Sequence, residues 1–368
     1  MRRAVSLALG LTLAVAGRAP AAPIPRAPHL TLIGAFTPPK DLSLDGALFG
    51  GISGIDYDRA SGDWLMISDD RSEKAPARFY TARLDYDARG VWGLKLKSVT
   101  ALGRDDGSLF ASGRGQGERA DAEALRLDPE NGQVVWSTEG DPDRGFDPAM
   151  RRMDRHGAPL GRIALPGGLG FDATGARGGR PNKTIEGLSF SADGRFLWMA
   201  MEAPLIQDGL VSTVLAGGLT RITRLDRQGR VSAQYAYRLD PVQAATRGRS
   251  DNGTSEILAL DSYRLLVLER SGVETVPGRF DYHCRLYLVD VRGADDVVAR
   301  LSLKDGHVRL LVKRLLVNFA TLANVPASNL EAMGWGPNLP DGARTLVFAA
   351  DGNFNADELG QFVVFAVK

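Results

Sequence analysis

The chain has 368 residues, 44% hydrophobic and 24% charged, an ordinary globular composition with ample length to bury a core. A formal net charge of +1, with no run of Lys and Arg among aromatics, excludes a bulk field suited to nucleic acid or an anionic membrane. A single cysteine, Cys284, excludes an intrachain disulfide and a cysteine zinc cluster, and the four histidines (His29, His156, His283, His307) lack metal-ligand spacing.

In chain order, residues 1–22 read as a secretory signal. Arg2 and Arg3 form its positive start, 4–17 its apolar stretch, and the small residues at 19–22 its cleavage site. No later segment has about 18 uninterrupted apolar residues. The expectation is a periplasmic or secreted monomer whose residues 23–368 form one domain without a stable membrane span.

The 43 glycines and 19 prolines sit at turns rather than in a low-complexity tract, which suits many short strands. One pattern recurs five times. A short strand with apolar residues two apart begins near Ser53, Glu123, Glu186, Glu256 and Glu331. A turn follows, often with Asn-Gly or Asp-Gly (Asn131-Gly132, Asp193-Gly194, Asp341-Gly342), the dipeptides that supply the positive φ of tight hairpins. A second apolar strand then ends in acid: Asp69-Asp70, Glu139, Glu202, Glu269 and Asp351. Ser53 to Asp69, Glu123 to Glu139 and Glu186 to Glu202 are each 16 residues apart, Glu256 to Glu269 is 13, and Glu331 to Asp351 is 20. The last two are read as a shorter and a longer turn.

Two further strand-like runs follow the first, third and fourth hairpins, at 78–86 and 92–102, 219–226 and 231–239, and 285–291 and 308–319. Four strands per repeat predict an all-β β-propeller of five blades, or six if an insertion such as 103–119 or 140–182 hides a degenerate blade. The last unit lacks a strand, which the N-terminal stretch 29–36 supplies, closing the ring and removing two open edges. A two-sheet sandwich is the alternative, but it does not explain the regular acids. Asn252-Gly253-Thr254 matches a glycosylation sequon and reads as a turn.

Equivalent positions of each blade lie at similar radius, so Glu123, Glu186, Glu256 and Glu331 are expected as a ring at one mouth of the channel. Asp69, Asp70, Glu139, Glu202, Glu269 and Asp351 are expected nearby. Facing carboxylates do not all stay ionised without compensation. A hard cation relieves them, and calcium takes six to eight oxygen ligands in flexible geometry; pairing with Arg or Lys, or a retained proton that makes a general acid, are the other ways. Arg71, Arg119, Lys183 and Arg270 are the candidate neutralisers beside the acids.

These stretches resemble the phytase-like, "esterase-like activity of phytase" family of bacterial exported propellers. They are Gly51-Ile52-Ser53-Gly54-Ile55-Asp56 leading to Ser68-Asp69-Asp70-Arg71, Asp121-Ala122-Glu123-Ala124-Leu125, Asn182-Lys183-Thr184-Ile185-Glu186-Gly187-Leu188, residues 260–269, and Asn329-Leu330-Glu331-Ala332-Met333 followed by Asp351-Gly352-Asn353-Phe354. The last departs from the Asp-Asn-Asn-Phe expected of the family. The resemblance implies a hydrolase-like propeller and leaves its substrate unassigned.

The expected activity is hydrolysis of a small anionic ester or phosphoester. Calcium is assigned to Glu123, Glu186, Glu256, Glu331, Asp351 and Asn353. Arg71 and Lys183 would hold the anion, and Asp70 or Glu202 would act as general base. No Gly-x-Ser-x-Gly elbow is present, and Ser53 has no paired histidine. A calcium-stabilised binding module without catalysis, and a lactonase-type hydrolase, are the competing readings.

Overall fold

Short runs of alternating or continuous apolar residues bounded by Gly, Asn and Asp dictate strands joined by tight turns, and the computed structural model of the protein is built from them. It describes residues 27–368 apart from positions 114, 305 and 356, so the expected signal at 1–22 lies outside the described residues. Five four-stranded antiparallel sheets follow one another as blades I to V. Blade I comprises Ile52–Asp58, Asp63–Ser68, Arg78–Asp87 and Gly90–Ala101. Blade II comprises Ala122–Leu127, Val134–Thr138, Ala149–Met153 and Pro159–Ile163. Blade III comprises Ile185–Phe190, Phe196–Met201, Leu219–Asp226 and Val231–Arg238. Blade IV comprises Ser250–Ala259, Arg264–Val276, Arg279–Asp290 and Val312–Asn318. Blade V comprises Asn329–Trp335, Arg344–Asp351 and Phe362–Val367, completed by Leu30–Phe36.

The N-terminal strand closes the ring in antiparallel register, from Leu30 opposite Val367 to Phe36 opposite Phe362. The insertion 140–182 holds the two outer strands of blade II, so no sixth blade is present among the described residues. No described helix is long and apolar enough to cross a membrane.

The core is divided among the blade interfaces. Trp64 and Met66 of blade I pack on Ala332, Val347 and Val364 of blade V. Trp136 of blade II packs with Ile67 and Phe79 of blade I, and Trp198 of blade III with Ile257 and Val267 of blade IV. Leu268 and Leu286 of blade IV meet Phe348 and Phe365 of blade V. Cys284 is a buried strand residue, and burial pushes its thiol up to about 12, which makes it inert as a nucleophile. Asn252 is also in a strand rather than a turn. Its side chain is buried, with Nδ2 donating to Glu269 Oε2 at 2.7 Å, so it is inaccessible as a glycosylation acceptor.

The innermost strands pack directly on one another around the axis. A Cβ added to Gly54 would lie 2.6 Å from the Leu125 nitrogen, and one added to Gly187 would lie 2.8 Å from the Ile257 nitrogen. Ala124 and Ala332 hold the equivalent places in blades II and V, and blade IV places Glu256 there. Glu256 therefore corrects the expected ring: it lies one residue beyond the mouth position. Its carboxylate meets Arg126 at 2.5 Å and is fully buried. The Arg126 guanidinium also donates to the carbonyls of Ile55 (2.7 Å), Leu125 (2.8 Å), Ile257 (3.3 Å) and Met333 (3.1 Å), from four of the five blades. The 13-residue spacing of Glu256 and Glu269 thus has two causes, a tight turn at 260–264 and a displacement of both acids by one residue.

Burial pushes the Glu256 carboxyl up to about 8 against the pull of Arg126. The folded state then holds a proton that the unfolded chain releases above about pH 4.5, so this group's contribution to stability falls as pH rises from there to about 8. Urea unfolding at pH 5 and pH 8 is expected to show a smaller pH slope for Glu256→Gln than for the wild type. At pH 8.5, Arg126→Met is expected to lose about 3–5 kcal/mol by leaving the buried Glu256 carboxyl without its partner, so that it must take up a proton at a pH where the unfolded chain holds none. Adding Glu256→Leu should recover most of that loss. No recovery would assign the stability to the carbonyl contacts of Arg126 instead.

Candidate functional site

Each inner strand carries a β-bulge, near its start in four blades and mid-strand in blade IV. The register against the second strand slips between Ile52 and Gly54, Ala122 and Leu125, Ile185 and Gly187, Thr254 and Glu256, and Leu330 and Ala332. A bulge adds an unpaired residue and re-aims its side chain. The residues so placed are Ser53, Glu123, Glu186, Ser255 and Glu331. The two serines tie adjacent inner strands together: Ser53 Oγ donates to the Ala122 carbonyl at 2.7 Å, and Ser255 Oγ to the Leu330 carbonyl at 3.2 Å. The three glutamates enter the mouth.

The matching register places Asp69, Glu139, Glu202 and Asp351 at the ends of the second strands, and Arg270 at the equivalent position within the longer second strand of blade IV. Blade IV contributes a cation here, because its acid, Glu269, falls one residue earlier. Glu269 accepts from Tyr237 Oη at 2.6 Å and Lys313 Nζ at 2.6 Å, away from the mouth.

Among the described residues, three groups of acids have oxygens within 4.8 Å of one another: Asp69, Glu123 and Glu331; Asp121, Glu123 and Glu139; and Glu139, Glu186 and Glu202. The cavity they border is about 420 Å³ and is also lined by Arg71, Lys74, Arg270, Asn329 and Asn353. Burial holds Glu123, Glu139, Glu186, Asp69 and Asp351 well above the usual carboxylate range. Neighbouring acids add to it: Glu186 at Glu123, Asp121 at Glu139, Glu139 at Glu186, and Asp351 at Asp69. Two further buried oxygens on blade V, Asp351 Oδ2 and Asn329 Oδ1, have no hydrogen-bond donor among the described residues. An all-oxygen donor set with orphaned buried acceptors fits a hard cation such as calcium, and these groups offer none of the nitrogen or sulfur ligands preferred by zinc.

Arg71 is a non-glycine residue at φ +51°. Its Nη2 meets Asp121 at 2.5 Å, its Nε donates to the same carboxylate at 2.6 Å, and Asn182 Oδ1 also accepts from Nη2. Arg270 lies 3.2 Å from Glu202 and 3.6 Å from Glu331. Lys183 is held between Glu202, at 3.4 Å, and Asp251, so it neutralises acids behind the cavity wall rather than facing an anion. Arg119 pairs with Asp141 at 2.6 Å. Asp70, expected as a base, is instead buried against Arg78, with Oδ1 accepting from the Ser72 amide at 2.8 Å. Asn353 borders the cavity, and its Nδ2 donates to Glu358 at 2.7 Å.

Of the expected site residues, the structure brings together Glu123, Glu186, Glu331, Asp351, Asn353, Glu202 and Arg71; Asp70 borders the cavity but turns its carboxylate to Arg78, Lys183 is held between Glu202 and Asp251, and Glu256 lies deeper against Arg126. Sequence reasoning left Asp121 and Asp251 unassigned. Asp121 stands two residues before Glu123, and that same-face spacing was its signal.

A family model described as phytase-like, esterase-like activity of phytase, matches residues 47–354. No curated protein matches the chain. Among solved structures it is similar to the β-propeller domain of Myceliophteria thermophila Cps50 (Swd1), at 12% identity over 87% of this chain and 98% of that one, with a TM-score of 0.36. It is also similar to U3-55K, at 6% identity over 92% and 99%, TM-score 0.36, and to the RRP9 WD40 repeats, at 8% over 93% and 99%, TM-score 0.36.

Glu123 belongs to two of the three acidic groups. In chelator at pH 8, Glu123→Gln is expected to raise Tm by about 2 °C by relieving repulsion. The same variant should lose most of any gain in Tm on adding calcium. A wild-type Tm indifferent to calcium would remove the cation from this site.

Proposed function

The chain belongs to the phytase-like family, and on that premise we propose that this hydrolase-type propeller is a calcium-dependent hydrolase of ester or phosphoester bonds, acting at the acidic channel mouth. The observation that carries the reading is the overlap of buried carboxylate groups around a cavity with too few cations to neutralise them. Arg270 and Lys183 already compensate the group containing Glu202. The two groups that share Glu123 are therefore the better cation sites, with Asp351 and Asn353 bordering the first. Calcium bound there would polarise the ester oxygen and acidify a bound water.

The chain's own residues supply the rest. Arg71 and Lys74 stand at the cavity edge, where they favour an anionic group. Glu186 lines the cavity, and burial beside Glu139 and Glu202 raises its affinity for a proton. Its carboxyl can therefore protonate the leaving oxygen, a role worth about 10²–10⁴ in rate. Glu202 accepts from Arg270 at 3.2 Å and Lys183 at 3.4 Å, and it positions those cations rather than abstracting protons. Action outside the cytoplasm is part of the proposal and rests on residues 1–22.

The test is turnover of p-nitrophenyl acetate, p-nitrophenyl phosphate, bis-p-nitrophenyl phosphate and a lactone, with calcium and with chelator. At least one substrate should be hydrolysed, with chelator abolishing the rate. Glu186→Gln should lower kcat about 100-fold or more while calcium binding by calorimetry persists. Glu123→Gln should lose both. Calcium-dependent stabilisation without turnover of any substrate would refute the enzyme reading in favour of a binding module, and preference for the lactone would redefine the substrate.

A further inference from the structure

Four blades bring an acid to the mouth on their second strand, at Asp69, Glu139, Glu202 and Asp351, and blade IV brings a guanidinium, Arg270, at the same register. Arg270 lines the acidic cavity. A guanidinium carries five N–H donors and stays charged at any working pH. Among the described residues, Arg270 makes one hydrogen bond, from Nη2 to Glu202 Oε1 at 3.2 Å, and a longer ion pair from Nη1 to Glu331 Oε1 at 3.6 Å. Its Nε is buried and meets no acceptor. A buried donor left in that state is costly, and a ligand that supplies the acceptor recovers the cost. The neighbouring cations are already engaged or exposed. Arg71 places Nε and Nη2 on Asp121, Lys183 lies between Glu202 and Asp251, and Lys74 stands exposed at the rim.

The blade IV strands explain how this group is presented. The second strand runs for 13 residues and the third for 12, against 5 to 8 for the second strands elsewhere, so both continue past the mouth as one wall of it. Arg270 pairs with Cys284 on the third strand, and Tyr282, two residues before Cys284, shares its face. Tyr282 lines the same cavity, and its ring stacks on Phe280 at 6.4 Å. Its hydroxyl lies 3.3 Å from Glu358 Oε2, longer than the roughly 2.5–3.0 Å of a good O–H···O bond, and that oxygen already accepts from Asn353 Nδ2 at 2.7 Å. On the other side of Arg270, Gly253 is its partner on the inner strand. A Cβ there would lie 2.6 Å from Glu202 Cγ. Glycine at 253 therefore lets Glu202 reach across from blade III and hold Nη2, which leaves the Nε edge unused. Glu331, the other carboxylate near Arg270, belongs to the acid group of Asp69 and Glu123. A cation held by that group would offset the charge of Glu331 and weaken its claim on Nη1.

We infer that Arg270, with the Tyr282 hydroxyl beside it, is the oxyanion-binding element of the mouth, and that the substrate is a phosphomonoester. This rests on the proposed hydrolase site for the reaction that follows binding. Adjacent guanidinium N–H groups match two oxygens of a phosphoryl group, and the phenol adds a third donor. A phosphomonoester has three non-bridging oxygens to share among the guanidinium, the hydroxyl and a cation. A diester or a carboxylate has two. A neutral ester or lactone offers an uncharged carbonyl oxygen and leaves the guanidinium edge unmatched.

Calorimetry on the full chain in the presence of calcium tests this, with methylphosphonate, which has three phosphoryl oxygens and no ester bond to cleave, and with acetate as the planar comparison. Methylphosphonate should bind about tenfold or more tightly than acetate. Arg270→Lys keeps a positive charge beside Glu202 and Glu331 but loses the planar fork. It should weaken methylphosphonate about tenfold or more, while a cooperative thermal transition persists as the folding control. Tyr282→Phe should weaken it about threefold to tenfold. Methylphosphonate affinity unchanged by Arg270→Lys, acetate bound as tightly, or no binding of either anion would overturn the assignment even if an ester is turned over. Methylphosphonate binding that is lost in Arg270→Lys, in a protein that turns over neither p-nitrophenyl phosphate nor any other ester, would keep the oxyanion site and refute the hydrolase reading.

Discussion

The mouth of this propeller is governed by the repulsion among carboxylates that the inner-strand bulges force together. Each bulge lies at the same register against its second strand, near the strand start in four blades and mid-strand in blade IV, so its side chain is aimed by the same local distortion in every blade. Three of the five positions carry glutamate, and the ends of the second strands add four more acids. Burial removes the water that would screen them. The flanking cations are arranged around the result.

The cations are not spread evenly. Arg270 replaces an acid at the blade IV position and reaches both Glu202 and Glu331. Lys183 braces Glu202 from behind, and Arg71 holds Asp121 from the rim. This leaves the sector from blade V through blade I to blade II richest in uncompensated carboxylate, and the orphaned oxygens of Asp351 and Asn329 lie there too. A smaller cavity lined by Phe49, Phe354 and Phe362 lies beside the same sector, where the N-terminal strand completes blade V. Charge and apolar surface therefore meet at the blade closure.

Deeper along the axis, Arg126 and Glu256 form a different kind of polar contact. One guanidinium satisfies carbonyls from four inner strands and one carboxylate. Such a pair gains its value from geometry, since removing either partner strands the other in a medium that solvates it poorly. It gives the packed inner strands a common centre.

Much of this was written locally. Repeated strand–turn–strand units, their 16-residue acid spacing and the missing strand of the last unit determined five blades and the strand that closes them, because alternation and turn chemistry act over a few residues. The gathering of Glu123, Glu186 and Glu331 followed from the same repetition. Tertiary structure alone decided which side of a bulge each acid takes. A one-residue displacement in blade IV sent Glu256 to Arg126 and Glu269 to Lys313, and put Arg270 in the mouth. It also decided that Asp70 turns to Arg78, and that Phe354 stands between the acids and the smaller cavity. Register and inter-blade contact join residues far apart in sequence, and no local pattern encodes them.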